Sequence, residues 1–124
     1  MQHDNNLTQK VIGCAIEVHR TLGPGLLETV YEVCLCRELG MAGIPFVRQQ
    51  KIPVLYKGER VDCDLRIDAI VDCSLALEIK AVQQVLPEHA AQLLTYFRVA
   101  GLPLGLPLNF NEPTMRDGIR RRAL

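Results

Sequence analysis

Two consecutive strand-like runs, Leu65 to Val71 and Leu75 to Val82, carry charged residues into otherwise apolar sequence, and this constrains the fold more than any other feature. In the first run Leu65, Ile67, Ala69 and Val71 hold one phase of a two-residue alternation. Asp64, Arg66, Asp68 and Asp72 hold the other, so one face seeks a core. In the second run Leu75, Leu77, Ile79 and Ala81 alternate with Ala76, Glu78, Lys80 and Val82. Successive strand side chains point to opposite faces, so Glu78 and Lys80 share one. If Asp72, Cys73 and Ser74 form the connecting loop, Asp68 stands directly opposite Glu78, with Cβ atoms roughly 5 Å apart. A two-residue loop would break that pairing. Two carboxylates so close repel and raise one pKa unless a cation lies between them, so the pattern calls for a metal ion. The competing reading is a salt-bridged cluster of Asp68, Glu78 and Lys80 on a solvated sheet face, of modest worth to stability.

The chain has 124 residues, enough for one domain (1–124) with one proper core, and 48% of them are hydrophobic, which argues against disorder. Fourteen acidic and fourteen basic side chains cancel, so no global field draws the protein toward nucleic acid or a membrane. A local basic patch is left to do so. Arg116, Arg120, Arg121 and Arg122 against Asp117 make one in the closing segment, where a solvated tail is the plainer explanation. Five cysteines, Cys14, Cys34, Cys36, Cys63 and Cys73, form neither a CxxC pair nor a histidine-flanked zinc pattern. The N-terminus has neither the basic nor the apolar region of a signal peptide, and no run is long enough to span a membrane. A cytoplasmic protein with reduced, mostly buried thiols is expected.

Asn5, Asn6 and Thr8 offer caps to a first amphipathic helix carrying Val11, Cys14, Ala15, Val18 and Leu22, which stops at Gly23, Pro24 and Gly25. His19 within it reads as a packed or surface residue rather than a ligand. A second helix is expected from about Leu26 to Leu39, with Glu28, Tyr31 and Glu32 forming an acidic and aromatic stripe. Phe46 to Tyr56 reads as a strand in which Pro53 implies an edge or a bulge, and Lys57-Gly58 turns it into the run ending at Asp72. Pro87 and Gly101 bracket a third helix with His89, Gln92 and Tyr96 on one face. LPLGLPLNF then reads as a buried strand parallel to the third, bulged or at an edge because of Pro107. The last residues form a short helix or tail.

The order helix with Glu28, strand with Asp68, strand with Glu78 and Lys80, helix with Gln92 and Tyr96 resembles the PD-(D/E)XK nuclease superfamily. Within it, Gly25-Leu26-Leu27-Glu28-Thr29-Val30-Tyr31 looks like the signature of the bacterial GxxExxY proteins, and IEVHRTLGPGLLETVY, LEIKAV, QLLTYF and LNFNEP fit that family from about Val11 to Ile119. Ile67 stands where the superfamily has its proline. The resemblance implies an α/β (α+β) fold with a restriction-endonuclease-like core, a mixed central sheet of about four strands flanked by helices.

It also implies a metal-dependent nuclease acting on DNA or RNA. Asp68, Glu78 and the backbone carbonyl of Ile79 would hold magnesium, with manganese as a substitute and Glu28 as an outer carboxylate. Lys80 would orient or deprotonate the attacking water and stabilise transition-state charge. Gln92 and Tyr96 would support the site or contact nucleic acid, and Tyr31 would pack or position Glu28. The small size suggests a homo-oligomer. Arg48, Lys51, Arg66, Arg98 and the tail arginines are the cations available for a basic approach. Two other functions stay open: a catalytically inactive nuclease-fold module for nucleic-acid or protein interaction, and a hydrolase for a small phosphorylated substrate.

Overall fold

The computed structural model describes residues 3–82, 91, 95, 98, 99, 101, 102, 104–119, 122 and 123. Helices α1 (His3–Leu22) and α2 (Glu28–Met41) precede strands β1 (Phe46–Tyr56), β2 (Glu59–Val71), β3 (Leu75–Lys80) and β4 (Leu104–Asn109). A one-turn helix α3 (Met115–Gly118) and a two-residue strand β5 (Arg122–Ala123) follow. The sheet runs in the order β1-β2-β3-β4-β5. Among the described strands only the β3–β4 pair is parallel, so the sheet is mixed and open, as a restriction-endonuclease-like α/β core requires.

Local chemistry accounts for the turns. Lys57 and Gly58 both have positive φ, the geometry of a two-residue hairpin turn, and Tyr56 pairs with Glu59 across it. Asp72 and Cys73 are left-handed in the three-residue β2–β3 loop, closed by the Ser74 amide donating to the Val71 carbonyl at 3.0 Å. Pro53 lies on edge strand β1 beside a register shift, as expected. Pro107 causes no bulge: the β3–β4 register runs unbroken through it. On its other side β4 pairs antiparallel with β5 as Leu104–Ala123 and Gly105–Arg122, and Leu108 bridges Ile119 in the same register.

The core lies between the helices and one sheet face. Val11, Ala15 and Val18 of α1 and Tyr31, Leu35 and Leu39 of α2 pack with Ala69, Val71, Leu75, Leu77, Leu106 and Leu108. Each fully buried leucine contributes roughly 1.5–3 kcal/mol relative to exposure. α1 starts upstream of the expected caps, and Thr8, 1% exposed, is enclosed within it rather than capping it. α2 is apolar on both sides: Val30, Val33 and Met41 are exposed opposite its buried residues.

One expectation about the strands needs correction. Ala69 and Val71 join the main core, but Ile67 packs instead with Ala76, Ile52, Ile70 and Leu102 in a second cluster. β1 shows the same slip: Phe46 packs on the main core and Ile52 on the second. Both strands therefore change face at Gln49 and Asp68, which stand between the pairs Arg48–Ala69 and Gln50–Ile67. The thiols are also more open than expected: Cys36 is buried, Cys14 and Cys34 are half-buried, and Cys63 and Cys73 are exposed. Burial pushes the Cys36 thiol up to about 11, a value that leaves it inert.

Candidate acidic site at the splay of two strands

β2 and β3 pair as Val71–Leu75, Ile70–Ala76 and Ala69–Leu77, and there the ladder stops. The same register puts Asp68 opposite Glu78, and two side chains replace the missing ladder bonds. The Ile79 amide donates to Asp68 Oδ2 at 2.7 Å, and the Asp68 amide donates to Glu78 Oε1 at 3.3 Å. The carboxylates thus meet at the point where the strands part. The three-residue loop that this pairing required is present.

Burial and mutual repulsion set the electrostatics. Glu78 is 7% exposed, and its carboxyl is pushed up to about 7, first by desolvation and then by the Asp68 charge, against the hydrogen bond from Asp68 and the Lys80 ammonium. Desolvation also raises Asp68, opposed chiefly by the Ile79 amide. A carboxyl that titrates near neutrality beside a second carboxylate is a common property of functional sites.

Glu28 reaches the same region from α2: its Oε2 accepts the Ala81 amide at 3.3 Å, just past the end of β3. The preceding loop explains how it is aimed. Gly25 has φ +103°, open only to glycine, and the fully buried Tyr31 donates its hydroxyl to the Gly23 carbonyl at 2.6 Å while accepting the Leu26 amide at 3.0 Å. Tyr31 also stacks on Phe110, with ring centroids 4.6 Å apart. Tyr31 therefore packs and pins the loop that starts α2, and Glu28, three residues before it, is the first residue of the helix. The expected stripe on α2 is split: Glu28 is exposed, Tyr31 and Glu32 are buried.

Glu32 was not anticipated as part of this region. It is 6% exposed, accepts two bonds from the Arg48 guanidinium at 2.8 and 3.0 Å, and accepts the Gln49 amide on both oxygens at 2.8 and 2.9 Å. Gln49 in turn lies 3.5 Å from Asp68 Oδ1. A glutamate in an otherwise apolar helix face was the only local signal. Arg48 is therefore committed to Glu32 rather than to a basic approach. Lys51 and Arg66 do converge, as directly opposed residues of β1 and β2. Asn109, 4% exposed, was also missed: it bonds both the amide and the carbonyl of Val82, at 3.1 and 2.9 Å, continuing the β3–β4 pairing beyond Lys80. A Cβ at Gly118 would collide with the Asn109 carbonyl oxygen, so this clamp needs a glycine there.

His19 behaves as a packed residue, its Nε2 donating to the Glu112 carbonyl at 2.8 Å beside Phe110. Ile79 meets the site through its amide. Gln92 and Tyr96 lie outside the described residues. Among the described residues no three His, Cys, Asp or Glu side chains are grouped to hold a metal ion. No described helix is long and apolar enough to cross a membrane.

Residues 5–122 match a family model described as the PD-(D/E)XK nuclease superfamily. No curated protein and no solved structure matches the chain.

Proposed function

The chain belongs to the PD-(D/E)XK nuclease superfamily, and on that premise we propose that it hydrolyses phosphodiester bonds of DNA or RNA with a divalent metal held at Asp68 and Glu78. The observation that carries this reading is the pairing of Asp68 on β2 with Glu78 on β3, two desolvated carboxylates each shifted toward protonation, with Lys80 two residues beyond Glu78 on β3. The donor set fits such an ion. Magnesium prefers hard oxygen ligands, keeps several waters and needs only one or two protein carboxylates. Asp68 and Glu78 supply those, and Glu28 and the Ile79 carbonyl are the further oxygens in reach of the same strand end. When bound, the ion polarises a phosphate oxygen and lowers the pKa of a water.

The rest falls to the chain. Lys80 orients the attacking water, takes up or returns its proton, and balances charge developing on phosphorus oxygens. Glu28 holds a water at the end of β3. To Gln92 and Tyr96 this reading assigns support of the site or contact with the nucleic-acid backbone.

A second reading, a nuclease fold that binds nucleic acid or protein without cutting, is favoured by a specific observation. No three-ligand cluster exists among the described residues, and Asp68 and Glu78 are each engaged with a backbone amide. This reading accounts for the arrangement without any rearrangement. The first requires the carboxylates to keep those bonds on one lone pair and offer another.

Labelled single-stranded and duplex DNA and RNA incubated with magnesium or manganese separate the two. Asp68→Asn retains an acceptor for the Ile79 amide and is the cleaner control than alanine. Cleavage that drops about a hundredfold or more in Asp68→Asn and in Lys80→Ala supports the hydrolase. Cleavage unchanged in both variants overturns that mechanism. Salt-sensitive binding without cleavage establishes the second reading.

A further inference from the structure

Four described non-glycine residues have a left-handed backbone, and three of them, Lys57, Asp72 and Cys73, lie in tight turns. The fourth, Gln49 with φ +51°, lies inside β1. Its conformation has a visible purpose. Consecutive residues of a regular strand point to opposite faces, yet Arg48 and Gln49 both bond the carboxylate of Glu32. Only a break in the alternation lets both arrive, and the left-handed residue makes that break. A backbone outlier held in place by its surroundings, next to an acidic site, is the kind of strain that marks function.

We propose that Gln49 is a positioning residue for the acidic site, its amide fastened to buried Glu32 and holding the Asp68 carboxylate from the side opposite the Ile79 amide. Asp68 Oδ2 accepts the Ile79 amide at 2.7 Å, and Oδ1 faces the Gln49 amide at 3.5 Å. The short bond from Ile79 fixes one oxygen, and the longer contact from Gln49 braces the other. Glu32 anchors Gln49 to α2, the helix that carries Glu28. One network therefore fixes the spacing between the outer carboxylate on α2 and the carboxylate pair on the sheet. The hold on Asp68 needs no metal, and only its consequence for metal affinity rests on the hydrolase reading.

The test uses the full chain with two substitutions. Gln49→Gly removes the amide and accepts positive φ without penalty, while Glu32 keeps Arg48. Gln49→Met keeps the length and the strain but has no donor. In metal-free protein, the Ile79 amide hydrogen should exchange about tenfold faster in both variants, with the β4 amides unchanged. The Gly variant should melt close to the parent and the Met variant lower. Manganese affinity by calorimetry should fall about tenfold or more, the usual cost of losing a partner that orients a ligand. Unchanged Ile79 exchange in both variants overturns the proposal, whatever happens to stability. If the parent binds no manganese, the hydrolase reading fails, while Ile79 exchange still decides the role of Gln49.

Discussion

Glu78 holds its proton longer in the folded chain than in the unfolded one, because burial and Asp68 oppose its charge. Its carboxyl moves from 4.5 to about 7, so across that window the folded state binds more protons than the unfolded state. Stability must then fall as pH rises from about 4.5 to about 7, by an amount on the order of 3 kcal/mol. Asp68 adds to the fall with the same sign. Glu78→Gln should flatten this part of the profile and be more stable than the parent at pH 8, which urea denaturation across pH 4 to 8 would measure. Under the hydrolase reading, manganese at pH 8 should raise the parent's melting temperature and leave that of Glu78→Gln nearly unchanged. The pairing behind this behaviour was legible in the sequence, since strand parity and a three-residue loop fix it within a few residues of chain. Gln49 was not. Its conformation depends on Glu32, distant in sequence, and nothing in its own neighbours announces a left-handed residue.

At the scale of the element, α2 owes its starting point to a side chain a turn inside it. The Tyr31 hydroxyl serves both Gly23 and Leu26 in a part-buried setting, so Tyr31→Phe leaves a carbonyl and an amide without their partner. The loss should be about 1–3 kcal/mol in denaturant unfolding, with weaker cleavage through a less constrained Glu28. An unchanged unfolding midpoint would remove Tyr31 from the loop's account. The sequence located α2 but misjudged its faces. Glu28, Tyr31 and Glu32 looked like one stripe, whereas the loop geometry and Arg48 draw Tyr31 and Glu32 inward and leave Glu28 at the rim. The extent of β1 was legible, because the Lys57-Gly58 turn that ends it is a local signal, but its change of face at Gln49 was not.

The whole molecule carries no net charge, so any hold on a polyanion must come from a few converging cations. Lys51 and Arg66 face each other across β1 and β2, two residues beyond Gln49 and Asp68 along the same ribbon. Like charges directly opposed are unfavourable unless something of opposite sign lies over them. Lys51→Ala with Arg66→Ala should therefore reduce the salt slope of DNA binding by about 1.4 for single strands and about 1.8 for duplex, measured in chelator so that cleavage plays no part. An unchanged slope would place the nucleic-acid path elsewhere. The mixed topology was readable because a predicted helix between two apolar runs implies a parallel pair. A short helix was expected in the closing residues and α3 is one, but β5 was not read, nor the approach of Gly118 to Asn109, a contact between segments that no periodicity encodes.

The splay between β2 and β3 has a kinetic consequence. Asp68 and Glu78 are joined by a three-residue loop, so their meeting is a local event available as soon as the β2–β3 hairpin closes. The parallel β3–β4 pair and the Asn109 clamp on Val82 instead require a long excursion of the chain to return, which costs loop-closure entropy before any contact repays it. Closing the carboxylate pair thus costs less loop entropy than closing the far end of β3. The two mutually repelling acids are therefore held together by the most local contact in the sheet, while the desolvation that raises the Glu78 carboxyl depends on the whole fold.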